Sequence, residues 1–158
     1  MSFKASLRKG DVGEVLYFSA NPSLVKLDGR VADFTCPQSG DRIELKTDYW
    51  CMSRTPNYFF EKLSDEATGK LGGPWRSASE GTERFVYFYV TNLTYVEFRT
   101  DQLLERLERI VPTIEPTKIR NDSWTTIGYR VPRGLLSDIA TEVKLKVVPV
   151  PAGESEKP

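Results

Sequence analysis

Two carboxylates and one ammonium stand out by type and spacing. Asp33 is followed, after ten intervening residues, by Glu44-Leu45-Lys46. A hairpin turning on Pro37-Gln38-Ser39-Gly40, a four-residue loop of common length, sets Cys36 opposite Asp41, Thr35 opposite Arg42, Phe34 opposite Ile43 and Asp33 opposite Glu44. Residues directly opposite share a face, with Cβ atoms ~5 Å apart. One face then carries Val31, Asp33 and Thr35 against Arg42, Glu44 and Lys46. The other carries Ala32, Phe34 and Cys36 against Ile43 and Leu45 and belongs to a core. Two carboxylates this close repel unless a cation lies between them. Their oxygens suit Mg²⁺, or Mn²⁺ in its place, with water and a substrate phosphate oxygen completing the shell. Lys46 beside them would orient or help deprotonate a metal-bound water and offset charge building on phosphorus. The chemistry such a set supports is phosphodiester hydrolysis. Acids and bases alternating along a half-exposed strand also arise as a solvated face with cross-strand ion pairs. The hairpin alone leaves the two readings level.

Composition narrows the alternatives. The 158 residues include no histidine, which removes imidazole triads, zincins and His-metal motifs. Cys36 and Cys51 are too few and too isolated for a zinc site, and neither has a histidine to activate it. Any enzyme chemistry must run on carboxylates, lysines and a hard metal ion. The 22 basic and 22 acidic residues cancel, which argues against a strongly basic nucleic-acid coat and leaves a nuclease open. No run is long and apolar enough for a membrane span, and Met1 to Gly10 lacks the apolar stretch of a signal peptide, so a cytoplasmic protein is expected. The length suits one domain over 1–150 with a disordered tail at 151–158.

The elements that must position these residues are legible from periodicity. Val12, Val15, Leu16 and Ser19/Ala20 recur at helical spacing from Asp11 to Ala20, and Pro22 stops the run. Leu24 to Asp28, the Asp28-Gly29 turn pair and Arg30 to Cys36 predict a hairpin. Further strands are expected at Asp41 to Asp48 and Asn57 to Leu63. A short helix is expected from Gly72-Gly73-Pro74 to about Glu80. Phe85 to Val90 reads as a strand buried on both faces, and Asn92 turns it into Thr94 to Arg99. Asp101 to Val111 is the clearest helix, with Leu103, Leu104, Leu107, Ile110 and Val111 on one stripe and Thr100 or Asp101 as cap. A strand near Thr125 to Val131 and a helix near Gly134 to Val143 complete an α/β (α+β) domain around a mixed sheet flanked by helices. Trp124 and Tyr129 are expected in the core.

Asp33, the spacer and Glu44-Leu45-Lys46 resemble the bipartite motif of the PD-(D/E)XK (restriction endonuclease-like) nuclease superfamily, whose core is a helix, a three-strand meander, a helix and a further strand. Lys9-Gly10-Asp11-Val12-Gly13-Glu14 resembles the start of the first helix in Holliday junction resolvase-like members. Thr55-Pro56-Asn57-Tyr58-Phe59-Phe60-Glu61 with Gly72-Gly73-Pro74-Trp75 is similar to small phage-encoded nuclease-like proteins. The match runs from Lys9 to Val90, with Ala32 where many members have proline. The resemblance implies a Mg²⁺- or Mn²⁺-dependent deoxyribonuclease acting on DNA and leaves a homodimer open. Asp33, Glu44 and the Leu45 carbonyl would hold the metal, Lys46 would be the catalytic lysine, and Glu14 would touch a second metal or its water. The alternative is a nuclease-fold protein that binds nucleic acid or a host protein without cutting. Arg54, Lys62, Lys70 and Arg76, with Trp75 among them, are candidate phosphate and base-stacking contacts, and Asn57 and Glu61 are exposed-face candidates for substrate binding. Scattered surface polarity explains each of these at least as well.

Overall fold

The run Arg84–Tyr89 forms the central strand, and every residue in it except Arg84 is buried. A strand covered on both faces has no solvated side to fill, so aromatic and β-branched residues can follow one another without alternation. In the computed structural model, which describes residues 3–28 and 31–146, this strand sits in a six-stranded mixed sheet. Its elements in chain order are α1 (Phe3–Ala20), β1 (Val25–Lys26), β2 (Phe34–Thr35), β3 (Arg42–Asp48), β4 (Asn57–Asp65), β5 (Lys70–Leu71), α2 (Gly73–Ser79), β6 (Arg84–Tyr89), β7 (Thr94–Arg99), α3 (Thr100–Ile110), β8 (Thr117–Arg120), β9 (Thr125–Pro132) and β10 (Thr141–Lys144). The sheet runs β1-β2-β3-β6-β7-β10, with β3 and β6 parallel and the other neighbours antiparallel. A second, antiparallel sheet runs β5-β4-β9-β8. The mixed α/β class expected from the sequence is the one observed. Among the described residues no helix is long and apolar enough to cross a membrane.

The large sheet is sealed on both sides. On one face Tyr17 of α1 packs with Phe34, Ile43, Leu45, Val86, Phe88 and Tyr95. On the other, Phe85, Tyr87 and Tyr89 meet Tyr58 and Phe60 of β4, Leu103 and Leu107 of α3, and Val131 of β9. The tyrosine hydroxyls buried there are satisfied: Tyr89 donates to the Asn57 carbonyl at 2.9 Å, and the Tyr87 oxygen accepts from Phe59 N–H at 3.0 Å while donating to Asp48. Burying a hydroxyl without such partners would cost about 1–3 kcal/mol.

Several expectations are corrected. The first helix begins at Phe3, well before Asp11, so Glu14 lies deep in α1 and not in a first turn. Over residues 12–20 its buried line is Gly13 and Tyr17, with Leu16 partly covered, while Val12 and Val15 are exposed. Gly13 is selected by packing: a Cβ there would stand 2.1 Å from Thr47 Oγ1 on β3. Residues 27–33 separate β1 from β2, so the first hairpin does not turn tightly on Asp28-Gly29; Gly29 and Arg30 lie outside the described residues, as does the 151–158 tail. The cap of α3 is Arg99, with no side-chain bond, and Thr100 is buried inside the helix. Residues 134–143 form two 3₁₀ turns (Arg133–Leu135 and Ser137–Ile139) and the start of β10, because the segment is anchored by buried Leu136 with Ile139 and Ala140 partly covered beside it, and Thr141–Lys144 pairs with β7. Trp124 is exposed, on the turn between β8 and β9.

Candidate functional site

The expected register holds where the ladder exists: Phe34 faces Ile43 and Thr35 faces Arg42. Cys36 N–H donates to the Asp41 carbonyl at 2.8 Å, closing the loop. Burial follows the two expected faces, with Ala32, Phe34, Ile43 and Leu45 buried and Asp33, Glu44 and Lys46 half-buried. The ladder stops one residue short of Asp33, however. Asp33 N–H donates to the Ile43 carbonyl and its own carbonyl accepts from Leu27 N–H, so its backbone fills the opening beside β3. Its carboxylate turns along the sheet and accepts Leu45 N–H at 2.8 Å. The N–H and C=O of one strand residue point to the same edge, so the Leu45 carbonyl opens on this same gap.

Three acids converge there from three elements. Glu14 reaches down from α1, hydrogen-bonds the Asp33 carboxyl and pairs with Lys26 of β1 at 2.9 Å. Glu44 approaches from β3. Burial pushes the Asp33 pKa up to about 7, the Leu45 N–H opposes this, and the Glu14 charge adds to it. Burial pushes Glu44 up to about 8, reinforced by Asp33, opposed by the Arg76 guanidinium, and raised further by Glu80 and Glu14. Such raised carboxyls mark a place where negative charge is unfavourable until a cation arrives. Among the described residues no three acidic or thiol side chains form a group able to hold a metal ion by themselves. The donors that could share one are Asp33, Glu44 and the Leu45 carbonyl, a set that leaves positions for water or substrate.

On the far side of Glu44 the surface opens into a cleft of about 160 Å³ lined by Glu44, Lys46, Glu61, Arg76 and Glu80. Lys46 stands 3.7 Å from Glu61 of β4, and Arg76 of α2 pairs with Glu80 at 3.1 Å. The Gly72-Gly73 turn lets α2 begin against Glu61: Gly73 has φ +46°, and a Cβ there would stand 2.6 Å from the Glu61 carbonyl oxygen. A second cleft of about 940 Å³ continues from Lys46 past Trp50, Arg54 and Asn57 to Arg130.

The sequence candidates therefore divide. Asp33, Glu44 and Glu14 meet at the sheet edge, and Lys46, Glu61 and Arg76 meet in the adjoining cleft. Arg54 and Asn57 line the larger one. Trp75 and Lys62 do not form a base platform: Trp75 is buried, its indole N–H donates to Glu108 at 2.8 Å, and Lys62 lies over its ring. Lys70 is exposed on β5, outside both clefts. Asp48 is buried at the end of β3, accepting Tyr87 O–H and Trp50 N–H. Sequence reasoning missed Glu80, Trp50 and Arg130. Only Trp50 carried a local signal, as an aromatic residue just after a strand that bears charged side chains. No protein-family model matches the chain, and no curated protein sequence matches it.

Proposed function

We propose that the protein is a Mg²⁺- or Mn²⁺-dependent deoxyribonuclease of the PD-(D/E)XK type. The single observation carrying this reading is the pair Asp33 and Glu44, drawn together just before the start of β2 with both pKa values raised. A structural ion-pair face would give each acid a basic partner. Here each acid's strongest charged neighbour is another acid. The succession α1, the β1-β2-β3 meander, α2 and β6 parallel to β3 follows the order the resemblance implies, with β4 and β5 inserted between β3 and α2.

In this reading a divalent ion would supply a polarised phosphate and an acidified water. Asp33 and Glu44 would hold it, and the Leu45 N–H keeps the Asp33 carboxylate aimed at the gap. Lys46, steered by Glu61, carries positive charge to the scissile phosphate, while Arg76 stabilises charge on the far side of Glu44. Glu14 adjusts the charge at Asp33 through its hydrogen bond.

The test is incubation of the purified chain with branched, duplex and single-stranded DNA in Mg²⁺ or Mn²⁺, alongside Asp33→Ala and Lys46→Ala. Cleavage by the parent protein that disappears in both folded variants supports the proposal. A folded parent that cuts no DNA in either ion overturns it, and DNA binding unaffected by the two substitutions would then favour the non-cleaving alternative.

A further inference from the structure

Trp50 is the most exposed large apolar side chain among the described residues, at 70%. Its loop is not loose. Trp50 N–H donates to Asp48 at 2.8 Å, the Tyr49 carbonyl accepts from Thr91 at 2.8 Å, and Met52 N–H donates to Asn92 at 2.8 Å. Arg133 reaches across to the carbonyls of Met52 and Thr55. A loop tied at so many points presents its indole by construction, and a tryptophan left in water that way gains nothing for folding. The indole lines the 940 Å³ cleft, near the top of the ~300–1,000 Å³ that ligand sites span. The same cleft carries Lys46, Arg54 and Arg130, and its one acid, Asp48, is buried and occupied by Tyr87 and Trp50. Arg54 and Arg130 are exposed and have no ion-pair partner among the described residues.

A positively charged groove with a rigid exposed aromatic is the arrangement that binds an unpaired strand, its phosphates tracked by cations and a base stacked on the ring. Duplex DNA hides its base faces and would leave Trp50 unused. We propose that the cleft from Lys46 to Arg130 binds a single-stranded DNA segment, with one base stacked on Trp50 and phosphates on Arg54 and Arg130. This deepens the nuclease reading and rests on it for what happens next: the strand enters the Glu44 cleft past Lys46, which lines both. It also assigns a role to the second sheet, since β8 and β9 form the far wall through Ile119 and Arg130.

The experiment is fluorescence anisotropy on the full chain, in chelator so that nothing is cut. The probes are a short labelled oligothymidine, a blunt duplex and an oligouridine of equal length. The expected result is that Trp50→Ala weakens oligothymidine binding about tenfold and leaves duplex binding nearly unchanged, while Trp50→Phe restores most of the loss. Arg130→Ala lowers the salt dependence by about one phosphate contact. Unchanged oligothymidine binding in Trp50→Ala overturns the proposal. So does an equal loss for duplex and single strand, a Trp50→Phe variant no better than alanine, or tighter binding of oligouridine. Trp50-dependent binding in a protein that cuts no DNA in Mg²⁺ or Mn²⁺ would sink the nuclease reading and leave the strand-binding groove standing. Cleavage of single-stranded DNA that depends on Lys46 but not on Trp50 would do the reverse.

Discussion

Strand β3 carries a half-buried or buried acid near each end, and the two are treated in opposite ways. At its far end Asp48 is buried but accepts Tyr87 O–H and Trp50 N–H, so its negative charge is met by donors and the network ties β3, β6 and the loop after β3 together. Near its start Glu44 faces Asp33 and Glu80, with Glu14 beyond, and burial works against its charge. The first arrangement is what a fold uses to fix itself, because a buried polar network with every member satisfied rigidifies. The second is locally unfavourable, and such departures from good packing concentrate where a ligand repays them.

The contrast can be broken most decisively at the site. If the proposed nuclease reading holds, Lys46→Ala removes the cation beside the reacting phosphate, and DNA cleavage should fall by ~10²–10³-fold or more with the thermal midpoint little changed. A variant that cuts as fast as the parent would reduce the acidic gap to a quirk of packing.

The next largest effect is on stability against pH. Asp33 and Glu44 have folded pKa values of about 7 and about 8, above their unfolded values of about 4. Between pH 4 and 8 the native state therefore holds protons that the unfolded chain has released. Without metal, stability falls as pH rises through that window and levels off above it. Mg²⁺ or Mn²⁺ competes with those protons, so the stabilisation it adds should grow from pH 5 to pH 8. Thermal melts in chelator and in metal check this. A midpoint that is flat in chelator, or a metal effect independent of pH, contradicts the electrostatics described.

Paired substitutions on β3 then sharpen the comparison. Asp48→Ala leaves Tyr87 O–H and Trp50 N–H without their acceptor and should cost about 1–3 kcal/mol for each orphaned donor. Glu44→Gln removes a charge that burial disfavours, and should hold or raise the metal-free midpoint while abolishing cleavage. Denaturant unfolding of both variants reads the difference directly, and equal destabilisation would mean that the two acids play the same part.

Smallest is Gly13→Ala. Its methyl would press on Thr47, whose short branched side chain has little room to yield. The cost should lie within the ~1–3 kcal/mol of overpacking. Because α1 must lift slightly, Glu14 should also shift at Asp33, which the pH profile of the metal-free protein would show.

How much of this was legible beforehand follows from how local each signal is. The α3 stripe, the buried run at 85–89 and the hairpin loop at 37–40 depend on residues close in sequence, and each is found where periodicity and turn chemistry put it. α1 was misjudged because one turn of glycine and tyrosine, not a stripe of valines, faces β3, and a glycine's value there exists only in the presence of Thr47. The 134–143 segment was misread as a helix because the sheet edge offered by β7 outweighs a weak local preference.

The sequence by itself determined that no imidazole chemistry is available, that Glu44 and Lys46 share one side of a strand, and that Asp33 must come near them, since a four-residue turn and a two-residue side-chain period leave little freedom. Only the tertiary structure decided that β2 begins at Phe34 so that Asp33 turns to the Leu45 N–H, that α1 delivers Glu14 to it, and that β4, β8 and β9 wall a groove beside Lys46. Those contacts join residues far apart in the chain, and their energies depend on burial and on charges that no single segment contains.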